Sequence, residues 1–299
     1  MDSTKNKEKK KVALVSVFAA VGLTIFKFIV GIITGSLGIL SEALHSGLDL
    51  VAAVITFFAV RYSGKPSDET HHYGHGKIEN LSALIETGLL VMTCVWIVYE
   101  AIHRILSGVG LVLNDSQTIF AFIVVITSIV VDIWRSRKLY KVAKKYKSQA
   151  LEADALHFST DIWSSVVVLL GLVCVKIYEW TQLSIFFYAD SVAALLVAGI
   201  VIFVCWNLAK KATNSLLDRA PEKETNDIIE IIENFSSVLT YHDLRVRHSG
   251  SQLLVEATIH LDSSLTLVEA HKITDKLEKK LFKYEDDMMV NIHAEPDEH

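Results

Sequence analysis

Apolar residues gather in six long blocks, at 12–34, 37–61, 81–105, 117–136, 153–178 and 189–209, with charged residues concentrated between them. About 20 apolar residues carry a helix across the hydrocarbon core of a bilayer, and each block reaches that length. Beyond the sixth block the pattern changes. Pro221 opens a helical stretch with Ile228, Ile229, Ile232 and Phe235 in register. Residues 243–248 and 252–262 alternate apolar and polar positions around the turn His248-Ser249-Gly250-Ser251, as paired strands do. Residues 265–283 return to helical spacing through Ile273, Leu277 and Leu281, and 287–293 suits a third strand. The pattern predicts a basic N-terminal segment (1–11), a six-transmembrane-helix bundle (12–213) and a C-terminal domain (214–299). The order α-β-β-α-β in that last segment predicts an α+β sandwich with its helices on one face of the sheet.

With 51% hydrophobic residues and a mean hydropathy of +0.38, the chain is too apolar for an ordinary soluble domain. Its net charge of −5 matters less than where the charges lie. Lys5, Lys7, Lys9, Lys10 and Lys11 precede the first block. Arg135, Arg137, Lys138, Lys141, Lys144, Lys145 and Lys147 crowd the connection between the fourth and fifth, and Lys210 and Lys211 follow the sixth. The opposite connections hold little positive charge beyond Arg104. The positive-inside rule therefore places both termini in the cytoplasm. The first block is too long for a signal-peptide core and no small-residue cleavage site follows it. Cys94, Cys174 and Cys205 all fall in predicted spans without C-x-x-C spacing, so they read as packing residues.

The chemistry lies among ionisable residues inside the spans, where charge is costly and marks function. Ala43-Leu44-His45-Ser46-Gly47-Leu48-Asp49 in the second block is echoed by Ala155-Leu156-His157-Phe158-Ser159-Thr160-Asp161 in the fifth. Each copy spaces His and Asp four apart, on one helix face. Together they offer two imidazoles and two carboxylates, a mixed N/O set that suits four-coordinate zinc and not magnesium or calcium. A second cluster, Asp68, His71 and His75 with His72 between, follows the second span. A scattered third set comprises His242, His248, His260, His271 with Asp275, His293 beside Glu295, and His299. Glu42 and Glu86 are candidates for a proton path or for holding the ligands in place, while Lys27 and Asp132 can pair within the bundle.

The six-span layout, the paired His-x-x-x-Asp motifs, the loop Asp68-x-x-His71-x3-His75-Gly76-Lys77 and the C-terminal α+β domain resemble the cation diffusion facilitator family along nearly the whole chain. The resemblance implies a homodimeric exporter that exchanges a divalent metal for protons and carries a ferredoxin-like cytoplasmic domain. By position it implies a transport site of His45, Asp49, His157 and Asp161 and a loop site of Asp68, His71 and His75. It further implies a cytoplasmic site of His242, His260, His271 and His293, and a charged pair, Lys77 and Asp218, between protomers. Glu295 stands where similar sites carry Asp. Many bacterial relatives have Asp at the position of His45, and the His version looks more like zinc-preferring members. The connection between spans four and five lacks the His-rich stretch of many eukaryotic zinc transporters, which points to a prokaryotic plasma (inner) membrane.

The expected function is efflux of zinc from the cytoplasm in exchange for protons, with zinc also held in the C-terminal domain. The expected partners are metal ions, protons, the bilayer and a second copy, not nucleic acid. Iron(II), cobalt, manganese or cadmium are alternative cargoes of the same site. An intramembrane zinc hydrolase would need an open coordination position and a base such as Glu42; four equivalent ligands suggest a closed site. A haem-bearing carrier is disfavoured because each His is paired with Asp rather than with a second His.

Overall fold

The computed structural model describes residues 2–34, 37–107, 115–181, 189–285 and 287–297; His299 and the side chain of Cys174 lie outside what it describes. Six long helices come first: α1 (Asp2–Thr34), α2 (Leu37–Ser63), α3 (Lys77–Ser107), α4 (Asp115–Tyr146), α5 (Gln149–Thr181) and α6 (Ala189–Leu216). The C-terminal domain follows as α7 (Glu222–Glu233), β1 (Thr240–Ser249), β2 (Gln252–Leu261), α8 (Leu267–Tyr284) and β3 (Met288–Pro296). Among the described residues, α1, α2, α3, α4 and α6 are each long and apolar enough to cross a membrane.

Small side chains let the long helices approach closely. Ala13, Ala20, Ala53, Val60, Ala143, Ala150 and Ala155 form one interior with Leu139, Leu151 and Phe158, joining α1, α2, α4 and α5. Ala83, Ala153 and Ala212 join α3, α5 and α6, and Cys94 and Cys205 pack together between α3 and α6. The opposite faces are apolar and exposed, as lipid-facing surfaces are: Leu44, Leu48 and Val51 on α2, and Leu196, Ile200 and Phe203 on α6.

All six long helices outrun the blocks that predict them, α1 and α4 the furthest. Hydropathy marks only the hydrocarbon-crossing part, whereas helix continues wherever neighbours satisfy it. α4 extends to Tyr146 and ends at Lys147, whose φ of 50° is the left-handed stop common at helix ends. α1 starts at Asp2, so the basic segment is its first third and docks on the rest of the protein. Lys9 is 2% exposed and pairs with Glu79, itself 1% exposed. Glu79 also accepts from Ser63 Oγ at 2.8 Å and from the Ser148 hydroxyl. Lys5 pairs with Asp287 of the C-terminal domain.

The sheet order is β1-β2-β3, with β1 and β2 antiparallel and β2 and β3 parallel across α8. Leu253, Val255, Ala257, Ile259 and Leu261 bury one face of β2 against Ile228 and Ile232 of α7 and Leu277 and Leu281 of α8. A capping box starts α8: Thr266 Oγ1 accepts from Glu269 N at 3.3 Å, and Glu269 Oε2 accepts from Thr266 N at 2.9 Å. β1 begins at Thr240, earlier than its alternation predicts. A bulge between His242 and Arg245, with Asp243 at φ 49°, breaks the period there.

The hairpin turn seats the domain on the bundle. Gly250 has φ +62° and its N–H donates to the buried Asn80 Oδ1 on α3 at 2.9 Å. A Cβ on Gly250 would lie 2.5 Å from the Gly76 carbonyl oxygen, and one on Gly76 would collide with the Ser249 carbonyl. Both positions therefore require glycine. Nearby, Asp218 accepts from Lys77 at 2.9 Å and from Arg247 at 3.2 Å, all within one chain. Burial raises the Asp218 carboxyl, but these two cations outweigh it and hold it below the usual carboxylate range.

Candidate metal sites

The four residues of the repeated motif converge where α2 meets α5. His157 Nε2 lies 3.1 Å from Asp49 Oδ1 and 3.7 Å from Asp161 Oδ2. His45 Nε2 lies 3.8 Å from Asp49 Oδ1 and 3.9 Å from Asp161 Oδ1. Each His thus faces both carboxylates, one from its own helix and one from the other. A tetrahedral zinc ion with ligands near 2.0–2.1 Å holds its ligand atoms about 3.3 Å apart. The four His–Asp separations bracket that value, and ligand atoms of His45, Asp49 and Asp161 lie within 4.8 Å of one another, with His157 against both carboxylates. Asp49, His157 and Asp161 are buried, whereas the His45 side chain is 35% exposed.

Around this bundle site lie groups that the His-x-x-x-Asp pattern does not reveal. Arg135 donates to Ser16 Oγ at 3.1 Å and to Asp132 at 3.4 Å, and its guanidinium lies 3.5 Å over the Phe158 ring. Ser16 Oγ donates weakly to Asp154 at 3.5 Å. Asp154 and Glu86 are each 1% exposed, and each keeps one carboxylate oxygen without a hydrogen-bond partner. Asp154 sits three residues before His157 on the same helix, the one sequence signal that could have found it. Lys27 pairs with Glu42 at 3.0 Å.

The loop cluster is built around an Asx turn. Asp68 Oδ1 accepts from the N–H groups of Thr70 at 2.9 Å and His71 at 2.8 Å, and from the Thr70 hydroxyl at 2.8 Å. These bonds, the Thr70 hydroxyl first, hold the Asp68 carboxyl well below its ordinary range and keep it anionic. Its Oδ2 is left to face His75 Nε2 at 3.5 Å, and the rings of His71 and His75 are 4.4 Å apart. His72 turns away to the Glu69 carbonyl.

In the C-terminal domain the strand register does the gathering. His242, Thr258 and His293 align across the three strands, and Thr240, His260 and Glu295 form the row two residues on. Period-two alternation puts both rows on the face away from the helices. Glu295 lies at the centre, 3.5 Å from His242, 3.4 Å from His293 and 3.9 Å from His260. His271 is not part of this group. It is exposed on the outer face of α8, 3.8 Å from Asp275. His248 is partly buried at the hairpin, 3.8 Å from Glu224, and burial lowers its basicity.

Residues 13–217 match the family model described as the cation efflux transmembrane domain, and residues 220–297 match that described as the cytoplasmic domain of cation efflux proteins. The chain is 29% identical over 304 residues to the cation-efflux pump FieF of Salmonella paratyphi A, covering 99% of this chain and 95% of that protein. It is 31% identical over 271 residues to the cation-efflux pump FieF of Escherichia coli (strain K12 / DH10B), covering 88% of this chain and 84% of that protein. Among solved structures, the metal-bound C-terminal domain of the CzcD transporter from Thermotoga maritima aligns at 33% identity with a TM-score of 0.24, over 25% of this chain and 87% of that one.

Proposed function

The chain belongs to the cation efflux, or cation diffusion facilitator, family and is a multi-pass cation-efflux transporter rather than an enzyme, and from that premise we propose that it exports zinc from the cytoplasm in exchange for protons. The observation that carries this reading is the convergence of His45, Asp49, His157 and Asp161 between α2 and α5. Two carboxylates offset the charge of one divalent ion, and two imidazole nitrogens favour zinc over harder cations. Metal binding requires these same groups to be deprotonated, so protons and metal compete for one set of atoms. A proton gradient then drives release on one side while low proton occupancy favours loading on the other.

The distribution of Lys and Arg supports cytoplasmic termini and an inner, plasma-membrane location. The loop site supplies three ligands beside the cytoplasmic ends of α2 and α3. The sheet site of His242, His260, His293 and Glu295 binds regulatory zinc; His271, which the resemblance assigns to the same site, stands apart from it on α8. The resemblance assigns Lys77 and Asp218 to a contact between protomers of a homodimer; within this chain they pair with each other at the domain junction, and a shared contact would require them to exchange partners.

Purified protein in vesicles with an imposed pH gradient tests the whole reading. Zinc should move against the proton gradient and collapse with it, and competition by Fe(II), Co(II), Mn(II) and Cd(II) ranks the cargo. Zinc flux that ignores the pH gradient would overturn proton exchange.

The sheet site makes a separate prediction. Fragment 217–299 contains its own apolar core, so it should fold alone and gain about 2.7 kcal/mol of stability at a hundredfold excess of zinc over Kd. Ala at His242, His260 and His293 should erase that gain without unfolding the fragment. A melting temperature indifferent to zinc returns these histidines to ordinary surface residues.

A further inference from the structure

One carboxylate within reach of the bundle site has no place in the four-ligand set. Glu42 precedes His45 by three residues and Asp49 by seven, so all three share a face of α2. The opposite face, Leu44, Leu48 and Val51, is exposed and apolar, and a carboxylate cannot relieve itself toward lipid. The Glu42 side chain is 47% exposed and stands one helical turn before His45, so without a partner its carboxylate has the cation within its range.

Lys27 prevents that. Its ammonium donates to Glu42 Oε2 at 3.0 Å and to Ser46 Oγ at 2.8 Å, and the residue is only 4% exposed. Ser46 follows His45 directly, and its carbonyl accepts from Thr24 Oγ1 at 3.0 Å. α1 is thus fastened to α2 between two ligands, with Lys27 fixed on the Glu42 side of them.

We propose that Lys27 is a specificity-determining residue: by holding Glu42 off the transported ion, it keeps the site at four ligands and two carboxylates. The proposal rests on reading His45, Asp49, His157 and Asp161 as the transport site. A third carboxylate would deepen the attraction for any divalent cation. It would also raise the oxygen share and the coordination number, which suits manganese and cadmium better than zinc. Tighter binding of the ion in its resting position slows its release, since only differential binding speeds turnover.

The test uses full-length Lys27→Gln, Glu42→Gln and the double variant, with zinc Kd measured calorimetrically in detergent and KM and kcat measured in vesicles. Gln at position 27 keeps a donor for Ser46 and so preserves the helix contact. Lys27→Gln should lower the zinc Kd and the turnover by about tenfold each, the scale of adding one nearby charge, and let manganese compete more strongly. Glu42→Gln alone leaves the Lys27 charge unpaired beside the site and should raise the zinc Kd, opposite in direction to Lys27→Gln, and combining the two should restore both constants. An unchanged Kd and competition profile in Lys27→Gln overturns the proposal, as does a double variant that keeps the single variant's defect. Asp49→Ala run alongside separates the two readings. If it binds and transports normally the site assignment falls, whereas if it is inactive while Lys27→Gln is ordinary, only the role of Lys27 falls.

Discussion

Asp49→Ala or Asp161→Ala should abolish transport while the protein remains folded. Each carboxylate lies within 4 Å of both imidazoles. Removing one strips a negative ligand from a buried ion and leaves three donors for a four-coordinate cation. Losing an outer hydrogen-bond partner of a metal ligand costs about 10–100-fold, so losing the ligand itself should cost more, beyond detection in a vesicle assay. The apolar interior that joins α1, α2, α4 and α5 is built from other side chains, so gel filtration in detergent should show an unaltered particle. Ordinary zinc flux through either variant would remove the site from the mechanism.

Lys9→Met should cost about 3–5 kcal/mol of stability, the usual result of orphaning one partner of a buried ion pair. Glu79 would remain charged in a dry interior with only the hydroxyls of Ser63 and Ser148 to bond it. Replacing both partners, Lys9→Met with Glu79→Met, should recover most of the loss because no charge is then stranded. Thermal unfolding in detergent measures both. A Lys9→Met protein as stable as the parent would mean that the pair is open to water, contrary to its burial.

That pair also shows where sequence reading stops. The five lysines before the first span read as an orientation signal, and for most of them that suffices. That Lys9 is interior depends on Glu79, distant in the chain, and no local pattern carries that information. The bundle site was legible because helix periodicity alone puts His and Asp four apart on one face, twice. The sheet site was half legible. Alternation places His260, His293 and Glu295, but the central position of Glu295 follows from the parallel register of β2 and β3, which only the fold reveals. His271 stands apart because α8 covers the other face of the sheet. Asp154 passed unnoticed because a single acid near the start of an apolar block looks like a membrane-surface residue until the packing of α1 and α4 encloses it.

The meeting of Gly76 and Gly250 has a mechanical consequence. Backbone touches backbone there, with no side chain between to compress or to choose another rotamer, and Asn80 pins the contact from the first turn of α3. The hairpin and the base of α3 therefore turn as one piece. α3 has 31 residues, a rod about 46 Å long at ~1.5 Å per residue. A tilt of about 5° imposed at its base displaces the far end sideways by about 4 Å, close to half the ~8–10 Å spacing of packed helices. The two glycines are the fulcrum of that lever, and a methyl group at either one would shift its resting angle.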